Sequence, residues 1–327
     1  MTNLVVTFNI IAPFLLYMLL GMLFRKLGML PKELTAGINR LVSMVFLPVF
    51  NFVNFMRADL SGLSHGGFIF YIIAGNLVIL LVMNILVHIL KFEPARAGTM
   101  VIICYISNSM VFGIAVASQM YPPGGYMEVI LAAAVLLPFY NAITVPILQY
   151  YGEKQKMLDA GGNAEGAKIR IDWGHLIKSI VTNPLVIAVV LGLAAMMTHL
   201  DLPDFADSFL NGISNLVTPL IFICLGAEFS LANIKEDKKA LIMALSIKLV
   251  IAPLFFLLLP LKWGYSDQVL LACLVCSAAP SGVTTVPLTQ ACGCDSRLAG
   301  ENLALSSACS IFTMFLWIFV FKQLGLL

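Results

Sequence analysis

The sequence predicts an all-α integral membrane protein of ten transmembrane helices, arranged as two inverted repeats of five helices each. Three observations lead to this prediction: a very apolar composition, ten long apolar runs, and residues that recur at one offset between the two halves. Apolar residues make up 60% of the 327 residues, charged residues make up only 11%, and the mean hydropathy is +0.97. One water-soluble core cannot bury so much apolar surface, so the chain requires lipid as part of its surroundings.

Each apolar run is about 20 residues long, which is the length at which an α-helix crosses a hydrocarbon core of about 30 Å. The alternating pattern of a membrane β-strand is missing. We number the predicted spans 1 to 10 in chain order. They cover Val5 to Phe24, Ile38 to Phe55, Gly67 to Leu90, Gly98 to Met120, Met127 to Tyr150, Ile180 to His199, Ser208 to Phe229, Lys239 to Leu261, Asp267 to Gln290 and Glu301 to Phe321.

The longest polar stretch separates spans 5 and 6. Residues 152–175 are rich in charged residues and glycine, which is typical of a solvated linker. The predicted organisation is therefore a first five-helix repeat over residues 1–151, a cytoplasmic linker over 152–175, and a second repeat over 176–327.

Orientation follows from the distribution of Lys and Arg. The odd-numbered loops carry 15 of these residues, whereas the even-numbered loops and the termini carry 3, and the remaining one is Lys248. Because basic residues concentrate on the cytoplasmic side, the odd loops are predicted to be cytoplasmic and both termini to be outside. The protein is thus expected in the cytoplasmic membrane, with the lipid bilayer as a partner.

The two halves share residues at an offset of 171 or 172. In this register Pro13, Gly21, Pro31, Pro48, Asn76 and Asn108 fall on Pro184, Gly192, Pro203, Pro219, Lys248 and Pro280. The matches come in order along the chain, which indicates an internal repeat. Since five is an odd number of spans, the second copy enters the membrane from the opposite side, as in many secondary transporters.

Spans 4 and 9 carry the predicted substrate site, because interrupted helices at corresponding positions mark such sites in inverted-repeat transporters. Span 4 contains Ser107 to Gly113, and span 9 contains two prolines and a glycine between Ala279 and Pro287. Prolines leave carbonyls unpaired, and the two spans are predicted to unwind and cross. Half-helix N-termini there would suit a carboxylate. The candidate ligand residues are Asn108, Ser109, Gly113, Pro280, Ser281, Thr284 and Thr285. The alternative is that Pro, Ser and Gly serve only kinks and close packing.

Lys248 is a cation deep within span 8, where it costs about 2.5 to 3.5 kcal/mol. Its repeat partner is Asn76 in span 3, so both are predicted as supporting polar groups of the site. Lys248 could pair with a substrate anion or titrate during transport, and the alternative is that it snorkels to the interface.

Other classes of function find little support. The net charge is +2 with scattered basic residues, so nucleic acid is not an expected partner. The seven cysteines lie in or beside apolar segments and are predicted to be buried structural thiols, including the CxxC of Cys273 and Cys276. No metal or cofactor is expected. Clustered carboxylates or histidines and an HExxH motif are missing from the sequence, so a membrane enzyme is not expected.

The chain resembles the auxin efflux carrier family of bacteria and plants over nearly its whole length. The segments Gly21 to Pro31, Ile38 to Leu41 and Phe46 to Pro48 are similar to the family's opening pattern of glycines, a basic pair, Asn and Leu-Pro. Asn108 to Gly113 is similar to its span-4 motif, and Ala278 to Pro280 to its span-9 motif. The chain departs from the family at Ala115, where many members have proline.

The resemblance implies a scaffold of spans 1, 2, 6 and 7, a mobile transport domain of spans 3–5 and 8–10, a homodimer, and an elevator-like movement. It also implies a small carboxylate substrate, since bacterial relatives include carriers of malate, malonate and lactate.

Two alternatives stay open at this point. A sodium-coupled symporter of the bile-acid type shares ten helices and the crossed pair, although the predicted crossing contains no Asp or Glu to bind sodium. A sensor or channel could reuse a transporter fold.

Overall fold

The structure is a computed structural model that describes residues 2–57, 66–121, 125–161, 174, 178, 181, 182, 184–228 and 234–327. We label its helices α1 to α12. They are α1 Thr2–Lys26, α2 Lys32–Met56, α3 Gly66–Ile89, α4 Pro94–Tyr105, α5 Ser109–Met120, α6 Met127–Asp159, α7 Pro184–Met197, α8 Asp204–Glu228, α9 Ile234–Trp263, α10 Asp267–Ala278, α11 Thr285–Ala291 and α12 Ser296–Gln323. Three of them contain a π-helical turn, at Val42–Phe46 in α2, Ser109–Gly113 in α5 and Ile247–Ile251 in α9.

Seven of these helices are long and apolar enough to cross a membrane, namely α1, α2, α3, α6, α8, α9 and α12. The shorter apolar helices α5, α7 and α10 have 10 to 17 residues. No strand longer than an isolated bridge occurs in the described ranges. The chain is therefore an all-α, multi-pass membrane protein, as predicted.

Hydropathy misplaced several helix ends. Helix α6 continues to Asp159 instead of ending at Tyr150, and α2 begins at Lys32 instead of Ile38. Polar residues can stay helical beyond the bilayer, where hydropathy no longer marks them. The first part of the predicted linker is thus helical. Its residues 162–173 and 175 lie outside the described residues, as do the predicted ends at Ile180 and Phe229.

The predicted interruptions of spans 4 and 9 are both present. Helix α10 ends at Ala278, and Ala279 is extended (φ −62°, ψ 152°) because it precedes Pro280. Pro287 is tolerated in the first turn of α11, where no helical amide donor is required. Helix α4 ends at Tyr105 without any proline, and Ile106 is likewise extended.

Prolines inside α9 leave carbonyls that side chains of other helices satisfy. Pro253 cannot donate to the carbonyl of Leu249, which instead accepts the indole N–H of Trp317 at 3.1 Å. Pro260 likewise leaves the carbonyl of Phe256, which accepts the hydroxyl of Tyr71 at 2.9 Å. The hydrogen bonds at these two prolines therefore also connect α9 to α12 and to α3.

Close helix pairs form where glycine removes a side chain. A Cβ on Gly21 of α1 would overlap the backbone of α8 at Ile223 and Ala227. A Cβ on Gly192 of α7 would meet the backbone of α2 at Phe52 and Met56. Small residues at membrane helix interfaces allow such backbone approach. The second contact repeats the first at an offset of 171 residues, with the two halves exchanged.

Gly226 offers a direct test of the α1–α8 interface. A Cβ at Gly226 would overlap the carbonyl of Met18, whereas a Cβ at Gly212 of the same helix would meet nothing within 4 Å. We expect Gly226→Ala to lower stability by about 1–3 kcal/mol through overpacking, and Gly212→Ala to leave it unchanged. Thermal unfolding in detergent measures both, and equal unfolding temperatures for the two variants would contradict the packing described.

Candidate functional site

The interrupted segments of spans 4 and 9 meet at a short antiparallel bridge between Ser107 and Ser281. The amide of Asn108 donates to the carbonyl of Pro280 at 2.8 Å, and the hydroxyl of Ser107 donates to the carbonyl of Ala279 at 3.4 Å. Unwound backbone at this depth needs such internal partners. We call residues 106–109 together with 279–284 the crossing.

Ser281 ties the crossing to the surrounding helices. Its hydroxyl donates to the carbonyl of Ile103 at 2.6 Å and accepts from the side-chain amide of Asn302 at 2.8 Å. Its backbone amide donates to the hydroxyl of Ser306 at 3.2 Å. Ser281 is fully buried, so these bonds are shielded from water. Its polar atoms are therefore occupied by the protein itself.

Asn302 and Ser306 of α12 were not among the predicted site residues. Asn302, Ser306 and Ser310 are all buried and recur every four residues, so they share one face of the helix. That polar stripe in an otherwise apolar span was the sequence signal that could have identified them.

Asn108 differs from Ser281, because its side chain makes no hydrogen bond to the described residues. It occupies the N-cap position of α5, yet it does not cap the helix, and it is 8% exposed. Asparagine at an N-cap usually accepts a bond from the first helical turn. The carboxamide of Asn108 thus stays available beside the positive end of α5.

The remaining predicted site residues divide between open and packed positions. Thr284 is exposed to a cavity, and Ser109 lies against the thiol of Cys276. Thr285 donates to the carbonyl of Gly282 at 2.7 Å. Gly113 packs so closely on Val275 that a Cβ would come within 3.2 Å of its side chain.

The two predicted supporting residues lie beside the crossing in different ways. Asn76 donates to the carbonyl of Ile72 at 2.9 Å and accepts from the hydroxyl of Tyr140 at 3.1 Å, so both ends of its carboxamide are engaged. Lys248 is 2% exposed and lies in the π-helical turn of α9. It is therefore buried among protein rather than extended to the interface.

An ion cluster around a buried carboxylate joins three helices of the bundle. Asp237 of α9 is 1% exposed and pairs with Arg96 of α4 and with Arg297 of α12, the latter at 2.8 Å. Two cations compensate this buried carboxylate, whose isolated burial would be costly. The cluster therefore links α4, α9 and α12. No group of three or more His, Cys, Asp or Glu side chains that could hold a metal ion occurs in the described part of the chain.

Two cavities lie beside α5 and α11, the two helices that follow the crossing segments. Cavity A, of about 300 Å³, is bounded by α1, α2, α5, α6 and α8 and reaches Ile114 and Ala115 just beyond the π-turn of α5. Cavity B, of about 650 Å³, is bounded by α2, α8, α11 and α12 and reaches Val283 and Thr284 of the crossing.

The cavities contact opposite ends of the same two helices. Cavity A touches the C-terminal part of α2, up to Arg57, and the N-terminal part of α8, from Asn211. Cavity B touches the N-terminal part of α2, from Ala36, and the C-terminal part of α8, up to Glu228. At about 1.5 Å per residue, the two contact regions of α2 lie far apart along the helix axis. The cavities therefore face opposite ends of the bundle.

Equivalent residues of the two halves line the two cavities. At an offset of 171 or 172, Phe50, Arg57, Ile114, Ala115, Asn211 and Ser214 of cavity A correspond to Ile221, Glu228, Val286, Pro287, Asn39 and Val42 of cavity B. The one position at which the sequence departs from the resembled family, Ala115, thus has its proline counterpart in the other half.

An all-helical membrane protein with two opposed cavities around interrupted helices belongs to the class of membrane transporters. The chain is a member of the membrane transport protein family, the auxin efflux carrier family, whose family model matches residues 6–318. It is similar to an uncharacterized transporter of Methanothermobacter thermautotrophicus, with 22% identity over 315 residues, which cover 93% of this chain and 94% of the relative. The chain is therefore a transporter and not an enzyme.

The contribution of Ser281 to the crossing can be measured against that of Ser277. Both serines are buried, but Ser277 bonds only within its own helix, to Cys273 and Leu274. We expect Ser281→Ala to destabilise the protein by about 1–3 kcal/mol because it leaves buried partners unsatisfied, and Ser277→Ala to have a smaller effect. Thermal unfolding measures the stability of the two variants, and a larger loss of stability for Ser277→Ala than for Ser281→Ala would contradict this account.

Proposed function

We propose that the protein is a secondary transporter that moves a small organic anion, a mono- or dicarboxylate, across the cytoplasmic membrane by elevator-type alternating access. The observation that carries the proposal is the pair of opposed cavities lined by equivalent residues. A carrier must offer its site to each side of the membrane in turn, and two vestibules related by an internal repeat provide both routes.

The contacts also support ten spans in two inverted repeats. Helices α4 and α5 make one span in two halves, as do α10 and α11, and α7 supplies the short span 6. Asn108 bonds to Pro280, its own counterpart at an offset of 172, so the crossing lies where the two halves meet each other symmetrically. The contacts of Gly21 and Gly192 are related in the same way, because each glycine meets in the other half the residues equivalent to those that its counterpart meets.

An anion is the best-suited ligand for the crossing. The first amides of α5 carry partial positive charge, and the carboxamide of Asn108 is available beside them. Thr284 adds a hydroxyl that faces cavity B. In this proposal Asn108, Ser109 and Thr284 contact the carboxylate, while Gly113, Pro280, Ser281 and Thr285 shape the unwound backbone that holds them.

The packing supports a scaffold and a moving part. Helix α1 packs on α8, α2 packs on both α7 and α8, and glycines bring the backbones of α1 and α8 and of α2 and α7 together. The Asp237 cluster joins α4, α9 and α12 into one body on the other side of the cavities. We propose that this body moves along the scaffold with the substrate. By family membership we also propose a homodimer, and by the loop charges both termini outside.

Replacing Asn108 tests the site. We expect Asn108→Ala to abolish saturable uptake of carboxylates into proteoliposomes and to remove ligand-induced thermal stabilisation, because the free carboxamide is lost. The panel consists of lactate, malonate, malate and indole-3-acetate. Asn84→Ala is the matched control, since Asn84 lies two turns beyond Asn76 in α3 and bonds to Tyr151.

Three results separate the possibilities. Uptake that is lost in Asn108→Ala and retained in Asn84→Ala supports the assignment. Normal uptake by Asn108→Ala removes Asn108 from the site. Failure of the wild-type protein to bind or transport any of the four carboxylates overturns the proposed substrate class.

A further inference from the structure

Lys248 lies against the ends of both interrupted helices. The thiols of Cys104, one residue before the end of α4, and of Cys276, two residues before the end of α10, lie close enough to interact with Lys248 electrostatically, and its π-helical turn packs against both helices. The thiol of Cys104 also points at the carbonyl of Ala244, one turn before Lys248 in α9. The amine thus sits on the side of the crossing that is occupied by helix carboxyl ends, where the helix dipole favours a cation.

Cys104 and Cys276 are the residues whose carbonyls lose their helical partners at the crossing. The amide four residues after Cys104 belongs to Asn108, which donates to Pro280 instead. The residue four after Cys276 is Pro280, which has no amide hydrogen. The two cysteines are also repeat counterparts, at an offset of 172. Both half-helices, against which the π-helical turn of Lys248 packs, therefore end with a carbonyl that lacks its usual helical partner.

Carbonyls at the ends of broken helices are the groups with which inverted-repeat transporters coordinate a coupling cation. Here Lys248 is a cationic side chain close to both such helix ends, through its interactions with Cys104 and Cys276. It forms no ion pair with the described residues, in contrast to Asp237, which has two cationic partners. Its burial in a π-turn is typical of a functional rather than a merely structural residue.

We propose that Lys248 is the proton-coupling site, and that the protein carries one proton together with each substrate anion. This inference rests on the proposed function, because the anion supplies the charge that stabilises the protonated amine. In this proposal the amine of the empty carrier is neutral, because it is buried and has no counter-ion among the described residues. Binding of a carboxylate at the crossing makes the ammonium favourable, so anion and proton bind together.

The proton balance of this step is simple. The neutral amine forms an N–H bond with a proton taken from water on the side to which the site is open. After the movement, the ammonium returns that proton to water on the other side as the anion leaves. No electrons are transferred, and a monovalent carboxylate with its proton crosses without net charge.

The groups that face Lys248 do not supply an alternative charge. Its turn packs against α4, α10 and α12. The titratable neighbours on α4 and α10 are Cys104 and Cys276, and on α12 the indole of Trp317 bonds to the adjacent carbonyl of Leu249. The nearest described ion pair on α9 involves Asp237, about three helical turns away.

The test uses purified full-length protein titrated with lactate, malonate and malate separately in weakly buffered solution containing a pH indicator. We expect the wild-type protein to take up about one proton per lactate bound, and its affinity to fall by up to about tenfold per pH unit as the empty site loses its proton. Lys248→Met and Lys248→Arg should take up none. Lys262→Met, the same change at an exposed position of the same helix, should behave as wild type.

Proteoliposomes provide the second measurement. With the membrane potential clamped at zero and the outside more acidic by one pH unit, the wild-type protein should accumulate lactate up to about tenfold. Lys248→Arg, which keeps the size and charge of the side chain but cannot release its proton, should give no accumulation. Should Lys248→Met fail to fold, the Lys248→Arg variant and the number of protons taken up by the wild-type protein still test the proposal.

The outcomes distinguish a failure of the proposed role of Lys248 from a failure of the proposed anion transport. Carboxylate binding and exchange without proton uptake and without a response to the pH gradient would overturn the role of Lys248 while leaving the anion carrier in place. An absence of binding and exchange with all three carboxylates would overturn both.

Discussion

The hydrogen bond from the amide of Asn108 to the carbonyl of Pro280 is the constraint on which the rest of the structure depends. Two unwound segments within an apolar bundle expose backbone groups that no water can satisfy, and each segment is tolerable only because the other is present. Once these groups pair across the crossing, four short helices must end there. Their carboxyl ends gather on the Lys248 side, and their amino ends point toward the candidate anion site.

That constraint explains why some features could be read from the sequence and others could not. Pro280 breaks a helix wherever it stands in one, so the end of α10 was predictable from local chemistry. The end of α4 has no local cause, because Ile106 and Ser107 are ordinary membrane-helix residues. Its cause is tertiary, namely the pairing with a segment more than 170 residues away, and its signs in the sequence were the polar run Ser107 to Ser109 and the weak repeat.

The same distinction applies to the site. Asn108 and Lys248 could be chosen as candidates from the sequence because a polar or charged side chain is expensive at membrane depth. The partners of Ser281 were not predicted, since Asn302 and Ser306 lie in a different span, where only the four-residue spacing of the polar stripe marks them. Likewise, Cys104 and Cys276 were correctly predicted to be buried thiols, yet the sequence gives no sign that both thiols lie near one lysine.

In the proposed alternating-access mechanism, the repeat is the means by which one chain presents a single site to two sides. Equivalent residues line cavities A and B. If the two halves exchange their contacts during the movement, the state open at one cavity converts into the state open at the other with little change in packing energy. The equivalence is imperfect where charge is concerned: Arg57 pairs with Asp207 at cavity A, whereas its counterpart Glu228 bonds to Asn39 at cavity B. The two states therefore differ in electrostatic energy, and a proton bound at Lys248 would add to or offset that difference as the carrier moves.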